Sequence, residues 1–236
     1  MIELHSLTKS YLHNGQRVKV FEDLSTTFNS GESVALLGRN GAGKSTLLRI
    51  IGGIDQPDRG RISTDCSISW PVGLVGGFQG SLTARENITF VSKIYAGQDP
   101  EVIEEKVRRV EEFAELGDYF DRPFKTYSSG MRSRITFGLS MAFDFDVYLI
   151  DEVTSAGDER FRKRSRQILE ERHQNADFIM VDHNLWGLSF HCDRALLLHE
   201  GSLMEFDSLK EGIEMHKKLL ELAPTARAHK NKQKAA

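Results

Sequence analysis

A chain of 236 residues, 39% hydrophobic and 28% charged, has the composition of an ordinary globular protein with apolar material for a sizeable core, which excludes a disordered or fibrous chain. Its net charge of -3 leaves no duplex-binding footprint, so no nucleic-acid partner is expected. Cys66 and Cys192 lack the spacing of a zinc site, a redox motif or a disulfide framework, and are expected to be buried thiols in a reducing compartment.

The N-terminus, Met1 to Leu12, lacks the charged-then-apolar pattern of a secretory signal. No stretch of the chain approaches the ~18 consecutive apolar residues of a spanning helix. Work at a membrane would therefore need spans from another polypeptide. Ile2 and Leu4, then Val18 and Val20, alternate with polar residues around Asn14-Gly15, which predicts an antiparallel sheet at the edge of the domain. Ser33 to Leu37 is a short apolar run that enters Gly-rich sequence, and Thr46 to Ile51 continues with a helical pattern.

From about Ser81 to Ser140 the pattern turns mainly helical. Asp99 is placed to cap a helix opening at Pro100, with Val102, Ile103, Val107, Val110 and Phe113 at helical spacing and Gly117 as its stop. Glu104 with Arg108 and Glu105 with Arg109 form i,i+4 pairs on its solvent side. Strand-like runs resume at Val147–Ile150 and Phe178–Val181, and Glu200-Gly201 marks a hairpin. The tail beyond Thr225 carries Arg227, Lys230, Lys232 and Lys234 with no acid. It is expected to be disordered, either a solvated end or a contact for anionic lipid headgroups.

Gly38-Arg39-Asn40-Gly41-Ala42-Gly43-Lys44-Ser45 fits the phosphate-binding loop pattern of Gly, four residues, Gly, Lys and Ser or Thr. Glycines let backbone N–H groups wrap phosphates, the following helix aims its positive end at them, Lys44 meets the β- and γ-phosphates, and Ser45 offers a hydroxyl to Mg²⁺. A flexible Gly-rich connection is the structural alternative. Val147 to Ile150 delivers Asp151 and Glu152 at a strand end, with Asp151 placed to hold Mg²⁺ and Glu152 to orient or deprotonate an attacking water. Alone, the two acids would read as a helix cap. His183, just after an apolar strand, is either structural or a hydrogen-bonding sensor of the γ-phosphate. His191 beside Cys192 has no further ligands at metal spacing.

Tyr127-Ser128-Ser129-Gly130-Met131-Arg132 resembles the signature motif of ABC ATPases, normally Leu-Ser-Gly-Gly-Gln, and precedes Asp151-Glu152 as that family requires. The resemblance implies an α/β fold: a P-loop ATPase core with a mixed sheet, an N-terminal antiparallel β subdomain and an inserted α-helical subdomain. The ATPase domain would span 1–222, with its helical part at about 81–140, followed by the basic tail 223–236. ATP and Mg²⁺ are the implied cofactors. Gly38 to Thr46 would hold the nucleotide, Glu152 and His183 would serve catalysis, and Ser45, Asp151 and Gln79 would serve the metal, Gln79 also linking it to a membrane partner. Tyr11 resembles the aromatic residue that stacks on adenine, or else simply packs in the edge sheet.

Ser129 is placed to cap the helix through Ile135, Leu139 and Ala142, leaving N–H groups that favour an anion. In the family that anion is the γ-phosphate bound by a second subunit, so Ser128, Ser129 and Gly130 would act on the partner's ATP in a head-to-tail homodimer. Val153 stands where Pro is usual, and Ser155-Ala156-Gly157-Asp158 replaces Ser-Ala-Leu-Asp. With Phe143 to Asp146, this is similar to the ATP-binding subunits of capsular polysaccharide exporters. The resemblance implies a separate integral-membrane permease, a lipid-linked polysaccharide as cargo, and a peripheral position on the cytoplasmic face of the bacterial inner membrane. Alternatives are the same engine driving lipid, peptide or drug-like solutes, or a non-transport ABC ATPase, which would be expected to show two cassettes or long heptads. A P-loop phosphotransferase would leave Tyr127 to Arg132 and His183 unexplained.

Overall fold

Asn14 and Gly15 take positive φ, 49° and 76°, and fold β1 (Ile2–His13) back onto β2 (Gln16–Phe28), the turn that an Asn-Gly pair favours. The computed structural model describes residues 1–73, 78–151, 158–182 and 185–222. After β2 come β3 (Val34–Leu37) and α1 (Lys44–Ile51); β4 (Arg59–Thr64) then returns to the free side of β1, completing a three-stranded sheet in the order β2-β1-β4. A bulge interrupts β1 where Ser6 has a φ of 48° and the register with β2 shifts between Leu4 and Leu7. Alternation restarts beyond it, so Leu7 and Lys9 are buried like Ile2 and Leu4.

The helical stretch contains α2 (Ala84–Tyr95), α3 (Pro100–Ala114), two 3-10 turns and α4 (Ser129–Ala142). Thr83 and Glu86 form a capping box at the start of α2. Asp99 caps α3, its side chain accepting from the N–H of Glu101, and Pro100 takes the first turn. Arg109 pairs with Glu105 as the spacing predicts, whereas Arg108 reaches forward to Glu112 at 3.3 Å, one turn in the opposite direction from Glu104. These helices enclose a core of their own that includes Ile88, Val110, Phe120 and Ile135. Gly138 allows α3 and α4 to pack closely: a Cβ there would lie 2.8 Å from the Phe113 ring.

The chain continues through β5 (Val147–Asp151), α5 (Glu159–His173), β6 (Asp177–Val181), α6 (Leu185–His191), β7 (Arg194–His199), β8 (Ser202–Phe206) and α7 (Leu209–Leu222). The second sheet has the order β5-β6-β3-β7-β8. Its first four strands are parallel, and β8 returns antiparallel through Glu200-Gly201, making the sheet mixed. All four residues of β3 are buried, as a central strand covered on both faces requires. Val34 and Leu36 pack toward β1, β2 and α1, while Ala35 and Leu37 pack toward α4, α5, α6 and α7.

Cys66 and Cys192 are only half-buried overall. Burial of its sulfur nevertheless pushes the Cys192 thiol well above the usual range. Among the described residues, no helix is long and apolar enough to cross a membrane. The basic tail lies outside them.

Candidate functional site

β3 ends at Leu37, between β6 and β7, and α1 begins at Lys44. Residues 38–43 must therefore turn sharply at the carboxyl edge of the sheet. Gly38 and Gly43 carry φ of 148° and 106°. A Cβ on the first would lie 2.5 Å from the Leu198 carbonyl oxygen, and one on the second 2.5 Å from Val20 Cγ1. Only glycine fits this turn without moving it off the two sheets.

Arg39, Asn40 and Gly41 are exposed at the crest, and the Ala42 N–H donates to the Arg39 carbonyl at 3.0 Å. Lys44 is buried, and its Nζ donates to the carbonyls of Gly38 at 2.7 Å and Arg39 at 3.1 Å, which draws the ammonium across the loop. Ser45 is exposed and Thr46 half-buried on the first turn of α1. A helix N-terminus, a glycine-lined turn and a cation thus converge, a combination that can receive a polyphosphate.

Because β5, β6 and β3 run parallel, their carboxyl ends share one edge, where open α/β sheets bind ligands. Asp151, half-buried, closes β5 there. Glu152 and His183 follow β5 and β6 in sequence but lie outside the described residues. Asp151 and Ser45 are oxygen donors suited to a hard cation such as Mg²⁺.

At the start of α4, the cap is Ser128 rather than Ser129: the Ser128 hydroxyl accepts from the Met131 N–H at 3.2 Å. Of two adjacent serines, the first has the extended backbone that a cap requires. Ser128 and Ser129 are exposed, and a Cβ on Gly130 would meet nothing within 4 Å. Tyr127 is buried, its hydroxyl donating to the carbonyls of Tyr119 at 2.5 Å and Phe120 at 3.2 Å. The tyrosine therefore anchors this helix start to the first of the two 3-10 turns, Gly117–Asp121, and burial raises its phenol above the usual pKa.

Tyr11 is 41% exposed near the end of β1, with the Thr46 hydroxyl beside its phenol. Gln79 is exposed, and its described hydrogen bonds involve its backbone: the N–H donates to Asn87 Oδ1 at 2.7 Å, and the carbonyl accepts from Asn87 Nδ2 at 3.1 Å. Sequence reasoning passed over Asn87, which is 2% exposed and clamps this turn from α2. It also passed over Lys9, Asp55 and Arg134. The signal for Lys9 was its place on the inward side of an alternating strand, visible only once the bulge at Ser6 is known.

Residues 21–155 match the family described as ABC transporter. The polysialic acid transport ATP-binding protein KpsT of Escherichia coli is 56% identical over 218 residues, an alignment covering 92% of this chain and 96% of that protein. The capsule polysaccharide export ATP-binding protein CtrD of Neisseria meningitidis serogroup B is 40% identical, over 93% of this chain and 100% of that protein. Among solved structures, the ATP-binding cassette MJ0796, dimeric and bound to ADP and Pi in a post-hydrolysis state, has a TM-score of 0.72 at 23% identity, covering 88% of this chain and 98% of its own. That last likeness is one of fold.

Proposed function

This chain belongs to the ABC transporter family, and from that premise we propose that it is the ATP-hydrolysing subunit of an exporter of capsular or related cell-surface polysaccharide. The observation that carries the reading is the 56% identity to a polysialic acid transport subunit over nearly the whole of both chains. In this reading residues 1–222 act as one cassette with a helical insert at about 81–140. The protein works as a homodimer on the cytoplasmic face of the inner membrane beneath a separate permease, whose cargo is a lipid-linked polysaccharide.

The permease supplies the spans absent from the described helices. Phe90, Ile94 and Tyr95 on α2, exposed by 55%, 62% and 57%, form an apolar face of the kind a partner chain covers. Asn87 on the same helix holds the Gln79 turn, so contact there would be felt at that turn.

The roles proposed for this chain's residues rest on its sequence motifs and, for the described residues, on the geometry of the loop and of the start of α4. The loop Gly38 to Thr46 cradles the triphosphate of ATP through backbone N–H groups, and Lys44 exchanges its carbonyl partners for phosphate oxygens. Ser45 and Asp151 would hold Mg²⁺, which when bound neutralises charge on the β- and γ-phosphates. Glu152 accepts a proton from the attacking water as its oxygen bonds to the γ-phosphorus and the bond to the bridging oxygen breaks, giving ADP and phosphate. His183 donates a hydrogen bond to the γ-phosphate, and Ser128, Ser129 and Gly130 present the positive end of α4 to the ATP of the other subunit.

A strain lacking this protein tests the reading. Polymer should still be made but accumulate inside the cell, and this chain should co-purify from wild-type membranes with a multi-span protein. Normal surface polymer in a deletion strain without a second copy would defeat the assignment.

A further inference from the structure

Beside the loop of residues 38–45, Lys9, Tyr11 and Asp55 form a bonded cluster for which the hydrolytic chemistry has no use. Lys9 and Tyr11, two residues apart on β1, lie on the same side of the strand. Lys9 is 7% exposed, and its Nζ donates to Asp55 Oδ1 at 2.7 Å and to the Gln56 carbonyl at 2.6 Å. The other carboxylate oxygen, Oδ2, accepts from the Tyr11 hydroxyl at 2.6 Å. Lys9 Nζ also lies over the Tyr11 ring, 5.0 Å from its centroid, within the range of a cation–π contact.

Asp55 is itself fixed to the end of α1. Its N–H and that of Ile54 donate to the Arg49 carbonyl at 3.1 and 2.9 Å. Bonds from Lys9 and then Tyr11 pull the Asp55 carboxyl down to about 2, so it remains an acceptor throughout the physiological range. Burial and the bond to Asp55 raise the Tyr11 phenol. An aromatic side chain this exposed would ordinarily sample several rotamers. Here the hydroxyl is tied to the helix that follows the loop, and a buried ammonium sits on one face.

We infer that Lys9 and Asp55 are positioning residues that fix the Tyr11 ring in the orientation that stacks on the base of the bound nucleotide. The inference rests on the reading of Tyr11 as the adenine-stacking residue. A ring already ordered loses no conformational entropy when the base arrives, so affinity for the base depends on the cluster while affinity for the phosphates does not. With the Lys9 ammonium over one face of the ring, the base would stack on the other.

The test is equilibrium titration of the full-length protein with Mg-ATP and, separately, with Mg-tripolyphosphate, which has no base. Tyr11→Ala examines the stacking itself and should weaken ATP binding on the order of tenfold. Tyr11→Phe keeps the ring but removes its bond to Asp55, and Asp55→Asn replaces the anchor; each should weaken ATP binding about fivefold. Tripolyphosphate affinity should match wild type in all three. Weakened ATP binding in Tyr11→Ala with wild-type binding in both Tyr11→Phe and Asp55→Asn would leave the stacking intact and overturn the positioning role. Wild-type ATP affinity in Tyr11→Ala would overturn both. A loss of tripolyphosphate affinity parallel to that of ATP would also overturn the inference, by placing the damage in the phosphate loop. Tyr11→Phe leaves the Lys9–Asp55 pair in place, so it decides the matter even if Asp55→Asn folds poorly.

Discussion

Arg134 of α4 and Asp158, the residue that caps α5, form an ion pair with Nη2 2.6 Å from Oδ2. The same guanidinium donates from Nη1 to the Ala114 carbonyl at 3.1 Å, at the end of α3. Arg164 of α5 adds bonds to the carbonyls of Glu112 and Phe113 and to Glu115. Cations at a helix C-terminus offset the negative end of its dipole. Through this cluster, the helix that begins at Ser129 is tied to the one that follows the segment containing Glu152.

Arg134→Ala should therefore disturb hydrolysis more than stability. The pair is partly exposed and its loss should lower Tm by no more than about 4 °C, whereas misplacing Ser128 to Gly130, which in the proposed dimer face the other subunit's ATP, should cut the rate about tenfold or more. Arg134→Lys, which cannot fork to both partners, should recover only part of the rate. Thermal melts and steady-state hydrolysis on the same samples check this. A rate that falls only as far as the folded fraction falls would make the cluster purely structural.

Glu152→Gln should still bind Mg-ATP but lose about 10²–10⁴-fold in hydrolysis, the contribution of a positioned base. Lys44→Ala should instead weaken binding of the triphosphate. Nucleotide titration paired with phosphate release separates the two effects, and near-normal turnover in Glu152→Gln would remove that residue from the catalytic role.

Gly130→Asp tests whether sites are shared between subunits. A Cβ at Gly130 meets nothing within 4 Å, so the substitution should leave the subunit folded and binding ATP. A carboxylate beside the partner's γ-phosphate should block the nucleotide-driven dimer and hydrolysis, because like charges repel strongly where water is scarce. Mixing with Lys44→Ala should restore some activity, since one sound composite site can form. A monomer, verified at assay concentration, that hydrolyses ATP at the full rate with Gly130→Asp would refute the shared site.

The Lys9–Asp55 pair should give stability a specific acid limb. A carboxyl held at about 2 in the fold, below its ordinary value near 4, contributes stability that is complete above about pH 4 and is lost as pH falls toward 2. Denaturant unfolding at steps from pH 6 downward should show Asp55→Asn destabilised relative to wild type, with the gap narrowing across that window. A gap that stays constant to pH 2 would mean the carboxylate's charge is not what matters.

Much of the architecture was legible because the signals are local. Asn14-Gly15 and Glu200-Gly201 impose their turns through backbone geometry, and Asp99-Pro100 starts a helix by satisfying its first N–H groups. The loop at Gly38 to Ser45 is legible for the same reason, since its glycines answer to steric demands at fixed spacing. What escaped was set by distant partners. Arg59–Thr64 has little apolar pattern and is a strand because β1 offers it an edge. Asp55 and Asn87 read as loop acid and helix amide until their partners, Lys9 and Tyr11 for one and Gln79 for the other, are brought to them. Ser128 and Ser129 differ only in backbone conformation, which neighbouring identical residues do not announce.

The irregularity at Ser6 has a consequence for how this chain tolerates change. Because side chains on a strand alternate, the extra residue there acts as a phase shifter: it decides which side everything downstream on β1 presents. Without it, Thr8 and Ser10 would turn inward, and the lysine and tyrosine would face outward, away from Asp55 and Thr46. Straightening the bulge while Ser6 stays in the chain is thus not a small adjustment of a surface strand. It is an inversion, one that leaves the strand's length unchanged while turning the proposed base-stacking side chain to the opposite side of the sheet, whereas deleting Ser6 together with the bulge would keep Lys9 and Tyr11 in phase.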